Sequence, residues 1–233
     1  MPHKTAKKGI AEDDLIVVLV GLTAGWRKRR KARAYFRHAF GERVYLPWIP
    51  YVFGLRASAA WLSFWLSRRI RQGKHKRCHV VAYIGGGILL RVLHKQGTRW
   101  PIGRSVWDRG PLQERVAGML VDRVPGIALT IVGLRSIVDL AKLDSSSLTF
   151  PQSALGSGLI VETRASALAQ RLGIEEDLPA ISPQEISRLL PDASSSVALP
   201  ISHDEVYHDT RFLGAAAAFL STGRFESSSA GSA

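Results

Sequence analysis

Hydrophobic positions along the chain fall into two patterns: short β-branched runs, and longer stretches in which apolar residues recur at helical spacing. Leu15 to Val20 is a continuous apolar run bounded by Asp14 and Gly21, which predicts a strand buried on both faces. Residues Arg27 to Phe40 place Ala32, Tyr35, Phe36 and Phe40 on one side of a basic amphipathic helix that Gly41 ends. Arg43 to Leu46 predicts a strand stopped by Pro47 and Pro50. Leu55 to Ile70 predicts a helix with Leu55, Ala59, Leu62, Phe64, Trp65 and Ile70 inside and Gly73 at its end. Cys78 to Tyr83 reads as a second buried strand, followed by Gly85, Gly86 and Gly87 and a helix through Ile88, Leu89, Val92 and Leu93.

The alternation continues. Gly103 to Trp107 predicts a strand, Leu112 to Val121 a helix and Ala128 to Gly133 a strand. Ser145 to Gly158 reads as a long loop and Ala165 to Arg171 as a short helix. A late strand, Val197 to Pro200, precedes His203, and Arg211 to Leu220 closes the pattern with a helix. Strands alternating with helices imply an α/β protein with a mostly parallel central sheet flanked by helices. The length of 233 residues suits one domain. We expect it over residues 13–225, after a flexible basic N-terminus (1–12) and before a disordered Ser, Gly and Ala tail (226–233).

Composition changes this picture little, because 46% hydrophobic and 22% charged residues are ordinary globular values. The single cysteine, Cys78, excludes an intramolecular disulfide and suits a reducing cytoplasm. No apolar window reaches the roughly 20 residues of a spanning helix. Charge matters more. The net charge of +13 concentrates in Arg27, Lys28, Arg29, Arg30, Lys31, Arg33 and Arg37, and again in Arg68, Arg69, Arg71, Lys74, Lys76 and Arg77. Such runs are most often solvated helix faces, with an anionic lipid surface, met through Arg27, Lys28, Arg29, Arg30 and Lys31, as the functional alternative. Nucleic acid ranks last among partners, since no base-reading motif accompanies the charge.

Several segments in fixed order resemble the small lipase and esterase branch of the α/β-hydrolase superfamily, over most of residues 15–225. LIVVLVGLTAGW is similar to the strand and turn whose loop amide helps to form an oxyanion hole, with Val20 where histidine is usual. CHVVAYIGGGILLRVL resembles the nucleophile elbow, in which a G-x-S-x-G turn raises a serine above the sheet. Aligned on its glycines, Ala82, Ile84 and Gly86 take those three places. GRSVWDRGPLQERVAGML is similar to the next strand, loop and helix, and GSGLIVETRASAL resembles the acid-bearing loop with Ser157 in the aspartate's place. LPISHDEVYHDTRFLGAAAAFLSTGRF resembles the final strand, histidine loop and helix, with His203 as the histidine.

The resemblance implies a site without its attacking atom. Acyl transfer needs an oxygen or sulfur at the elbow, and the isoleucine at 84 supplies neither. His203 is then a remnant base. Asp204 and Asp209 are close in sequence, but the orienting acid comes from a separate loop, leaving Glu162 and Asp139 as further candidates. The amides of Leu22 and Gly85 would form an oxyanion-type pocket open to a small acyl or carboxylate ligand. An aromatic group, Trp26, Trp48, Tyr51, Phe53, Trp61 and Trp65, either rims that cleft or packs in the core. No cofactor is implied, and His75 and His79 lack a carboxylate to complete a metal site. The leading expectation is a pseudohydrolase with a binding or regulatory role. The alternatives are an ester or lipid hydrolase, or an acyltransferase, using Ser105 or Ser202, and a peripheral membrane protein.

Overall fold

The protein is described here from a computed structural model that covers residues 10–21, 24–108, 121–122, 135–143, 149–171, 190 and 193–225. Six strands form one sheet: β1 (Leu15–Leu19), β2 (Val44–Tyr45), β3 (Cys78–Ala82), β4 (Ile102–Asp108), β5 (Ser157–Arg164) and β6 (Ala193–Ser202). Their spatial order is β2-β1-β3-β4-β5-β6, and all five pairings are parallel. Parallel neighbours cannot be joined by a tight hairpin, so each connection must cross a face of the sheet, and helices supply most of the length of the first three. The described helices are α1 (Trp26–Phe40), α2 (Leu55–Gln72), α3 (Ile84–Lys95), α4 (Arg135–Ala141), α5 (Ala167–Arg171) and α6 (Thr210–Thr222).

Alternate residues of the inner strands feed two separate cores. Leu15, Val17, Leu19, Val80, Ala82, Trp107 and Leu159 pack against α2, α3 and α4 through Leu62, Leu66, Leu89 and Leu140. Ile16, Val18, Val81, Tyr83, Val106 and Ile160 face the other way, onto Phe36 and Phe40 of α1 and Phe212, Ala216 and Phe219 of α6. Burial on both faces is why these strands read as unbroken apolar runs.

Local departures from the expected boundaries have physical reasons. In α2 the buried side is Leu55, Ser58, Ala59, Leu62 and Leu66, while Phe64 is exposed. Residues 55, 59, 62 and 66 hold the 3.6-residue period, and position 64 lies about 200° from Leu62 around the axis. Strand β6 starts at Ala193, earlier than Val197, because a sheet edge buries only alternate residues and so tolerates its serines and Pro200. The helix expected at Leu112 to Val121, all but its last residue, and the strand expected at Ala128 to Gly133 lie outside the described residues, as do residues 1–9 and the tail from 226.

Helix α3 begins at Ile84 and takes in the three glycines. A Cβ on Gly86 would stand 2.4 Å from Leu19 Cβ and 2.5 Å from the Leu19 carbonyl oxygen, so only glycine lets α3 approach β1 this closely. Gly87 packs on the indole of Trp107. At the opposite end of the sheet, buried His79 of β3 accepts from the Arg104 backbone amide at Nδ1 (2.9 Å) and donates from Nε2 to Asp14 (3.1 Å). This network ties the entry to β1 to β3 and β4.

Candidate functional site

Three strands deliver their ends to one place. Asp108 closes β4, and its register partner on β5 is Ile160. Glu162 lies two residues further along β5, on the same face, because strand side chains alternate with period two. His203 follows the last residue of β6 directly. The site therefore sits at the carboxyl edge of a parallel sheet, where ligands of open α/β folds bind.

A compact turn holds His203. The Ser202 backbone amide and hydroxyl both donate to Glu205 (2.7 and 2.9 Å), and the Arg164 guanidinium pairs with the same carboxylate. Those partners hold Glu205 down to about 2. His203 Nδ1 then donates to Glu162 Oε1 at 3.1 Å and lies 3.5 Å from Asp108 Oδ2. The longer contact is charge attraction, since neither Asp108 oxygen has a hydrogen-bond partner. Both carboxylate side chains are 0% exposed, whereas the imidazole is 18% exposed.

Burial opposes the imidazolium, but Asp108 and Glu162 together outweigh it, and His203 is pushed up to about 10. Burial, then the Glu162 charge, raises Asp108 well above the ordinary carboxylate range, with His203 pulling the other way. Two acids thus compete for a single cationic partner.

Ser157, expected in the acid's place, lies at the start of β5, five residues before Glu162. Its hydroxyl is buried against Ser105 Oγ at 2.9 Å, so the side chain that actually reaches His203 from this strand is Glu162. The sequence reading put a loop where the strand already runs. Asp108 was not singled out at all, although a lone carboxylate ending an apolar strand (Val106, Trp107, Asp108) is a usable signal in a parallel sheet. Asp139 instead accepts from the Leu55 amide at the start of α2 (2.8 Å), Asp204 from the Ala167 amide (3.0 Å), and Asp209 caps α6 through the Arg211 amide. None of these joins His203.

Ile84 stands at the β3–α3 junction as the first residue of the helix, partly buried against the α2 and α3 core. Among the described residues, the only non-glycine with positive φ is Lys74, so this junction has none of the left-handed backbone that marks a strained turn. Leu22 lies outside the described residues. Gly85 is buried, and its amide nitrogen lies 3.9 Å from where a Gly21 Cβ would be. The Gly21 amide is already engaged, donating to the Tyr207 hydroxyl at 3.1 Å.

Tyr207 fills the centre of the site. It is wholly buried, stacks on Tyr83 with ring centroids 4.4 Å apart, and meets the His203 ring edge-on at 6.1 Å. Tyr83 stacks in turn on Phe212 and donates to the Val206 carbonyl at 3.4 Å. Two phenols therefore occupy the ground between the Gly21 turn, the elbow and the imidazole. A cleft of about 720 Å³ lies elsewhere, lined by Phe53, Arg56, Lys95, Arg135 and Lys142 among others but by none of the residues around His203. The aromatic group divides: Tyr51 is buried, Trp61 and Trp65 stack on each other, and Trp26, Trp48 and Phe53 are more than 60% exposed.

The serines weighed as substitute nucleophiles are both engaged. Ser105 Oγ bonds Ser153 and Ser157 and accepts from the Trp107 indole, while Ser202 Oγ donates to Glu205.

Neither a protein-family model nor a curated protein matches the sequence. Solved structures do. An esterase from Pyrococcus furiosus superposes with TM-score 0.54 at 13% identity, covering 89% of this chain and 82% of the other. An α/β hydrolase enzyme from the metagenome of lagoon sediments at Mar Chica, Morocco, gives 0.51 at 15% identity, with 86% and 85% covered. Epoxide hydrolases of the α/β-hydrolase superfamily, from metagenomes of hot environments, give 0.51 at 13% identity with 92% of each chain covered. At such identities the likeness reports architecture, and with the all-parallel sheet and the carboxyl-edge histidine it establishes that this chain has the α/β-hydrolase fold.

Proposed function

We propose that this protein is a pseudohydrolase: it keeps the histidine and acid of the fold, lacks acyl-enzyme turnover, and serves a binding or regulatory role. The observation that carries the reading is Ile84 at the β3–α3 junction, where covalent catalysis needs a hydroxyl or thiol. Tyr207 supports it, because its hydroxyl takes the Gly21 amide that would otherwise be available to an oxyanion. Losing the nucleophile of a triad removes orders of magnitude of rate even when base and acid remain.

The test is hydrolysis of short p-nitrophenyl esters together with labelling by a fluorophosphonate probe. We expect no labelled serine, and an ester rate that His203→Ala leaves unchanged. A single labelled serine with activity lost in His203→Ala would establish a hydrolase with another nucleophile and end this reading.

A second reading has one observation in its favour. Trp26, at the basic start of α1, and Trp48 are both exposed, and Arg29 of α1 donates to the carbonyl of Pro47, the residue before Trp48, at 2.8 Å. Exposed tryptophan next to arginine and lysine suits the interface of an anionic bilayer. Among the described residues no helix is long and apolar enough to cross a membrane, so attachment would be peripheral. Co-sedimentation with phosphatidylserine vesicles at low salt, reduced in Trp26→Ala, is the expected result.

A further inference from the structure

Orienting a histidine takes one carboxylate, yet Asp108 and Glu162 both converge on His203 Nδ1, from neighbouring strands. We propose that Asp108, Glu162 and His203 form a binding site for one divalent first-row transition cation, Zn²⁺ or Mn²⁺. This goes beyond the pseudohydrolase reading.

Geometry is the first argument. One ligand atom from each residue lies within 4.8 Å of the others, and the two separations from Nδ1 are 3.1 and 3.5 Å. Metal bonds of about 2.0–2.2 Å place neighbouring ligand atoms roughly 2.9–3.5 Å apart, depending on tetrahedral or octahedral arrangement. The two separations from Nδ1 already match that spacing, and the carboxylate oxygens lie within 4.8 Å of each other. Asp108 and Glu162 are fixed on adjacent strands of the sheet, and rigid elements of this kind hold a ligand set.

Charge is the second. Asp108 is fully buried and neither of its oxygens has a hydrogen-bond partner, while Oδ2 points toward the imidazole. A buried carboxylate stays ionised only beside an opposite charge or a metal, and otherwise takes up a proton. One imidazolium neutralises one of the two acids. A dication with neutral imidazole neutralises both, and it gives Asp108 a closer contact than the 3.5 Å it has to His203. One nitrogen with two carboxylates favours Zn²⁺, Mn²⁺ or Fe²⁺ over Ca²⁺, which takes six to eight oxygens.

The test uses the full chain, stripped with a chelator and titrated with Zn²⁺ and with Mn²⁺ by calorimetry. We expect one cation per chain and a rise in melting temperature on binding. Asp108→Asn and Glu162→Gln should each weaken binding at least about 10–100-fold, the loss that even outer-shell changes cause. Should either variant fail to fold, nitrogen-15 NMR of the histidine side chains in the wild-type protein decides. Zn²⁺ must remove the Nδ1 proton of His203. Absence of stoichiometric binding, binding unchanged in folded Asp108→Asn, or a His203 ring that keeps both protons under saturating Zn²⁺ would each overturn the proposal. No readout involves ester turnover, so this inference and the pseudohydrolase reading fail independently.

Discussion

The sheet carries a histidine beside a buried carboxylate at each end, and the two arrangements differ in completeness. At the amino edge, His79 has one acid, Asp14, and a backbone amide on its other nitrogen, all of it closed from solvent. At the carboxyl edge, His203 has two acids, sits on a turn, and keeps a partly exposed ring, while Asp108 goes without a hydrogen bond. The first arrangement is complete as it stands and only holds strands together. The second leaves a bonding deficit, and such deficits in native proteins call for a functional explanation.

This contrast sets the expected size of each perturbation. His79→Ala should cost the most, about 3–5 kcal/mol by urea denaturation, because it takes the imidazole partner from buried Asp14 and leaves that carboxylate the Ala11 amide. A loss below about 1 kcal/mol would mean that the amino-edge pair is not structural, and the comparison would collapse.

The two histidines should also give stability opposite slopes with pH. Burial, only partly offset by Asp14, lowers His79 below its ordinary 6.5, so its contribution is full above 6.5 and is lost as pH falls toward the folded value. His203, raised from 6.5 to about 10, contributes fully below 6.5 and loses that contribution as pH rises to about 10. Chemical denaturation across pH 5–10 should therefore show His203→Ala flattening only the alkaline limb. Acidic flattening in that variant would reverse the assignment.

The smallest effect concerns the turn that presents His203. Glu205, held down to about 2, stabilises above its ordinary 4.5 and loses that contribution as pH falls toward 2. It is partly solvated, so Glu205→Gln should cost no more than about 1 kcal/mol near neutrality, and less at pH 3. A loss that stays constant with pH would show that the turn depends on the shape of the side chain and not on its charge.

Much of the fold was legible because burial on both faces writes itself as uninterrupted apolar runs, as in β1 and β3. Helix α1 was legible for the complementary reason, its arginines marking the face that Phe36 and Phe40 do not use. The edge strand β6 was cut short because its serines look like loop. His203 was legible from the resemblance of its segment. Of its partners, Glu162 was only a secondary candidate and Asp108 was missed, since they reach it from 41 and 95 residues away through strand register alone. The same ignorance of register put the acid's place at Ser157, five residues before Glu162 on the same strand.

The relaxed backbone at Ile84 has a bearing on reversibility. Placing a serine there would change the side chain and leave the peptide path of an ordinary helix start, so Ile84→Ser alone should not confer esterase activity. Both the side chain and the backbone conformation that presents it would have to be supplied together.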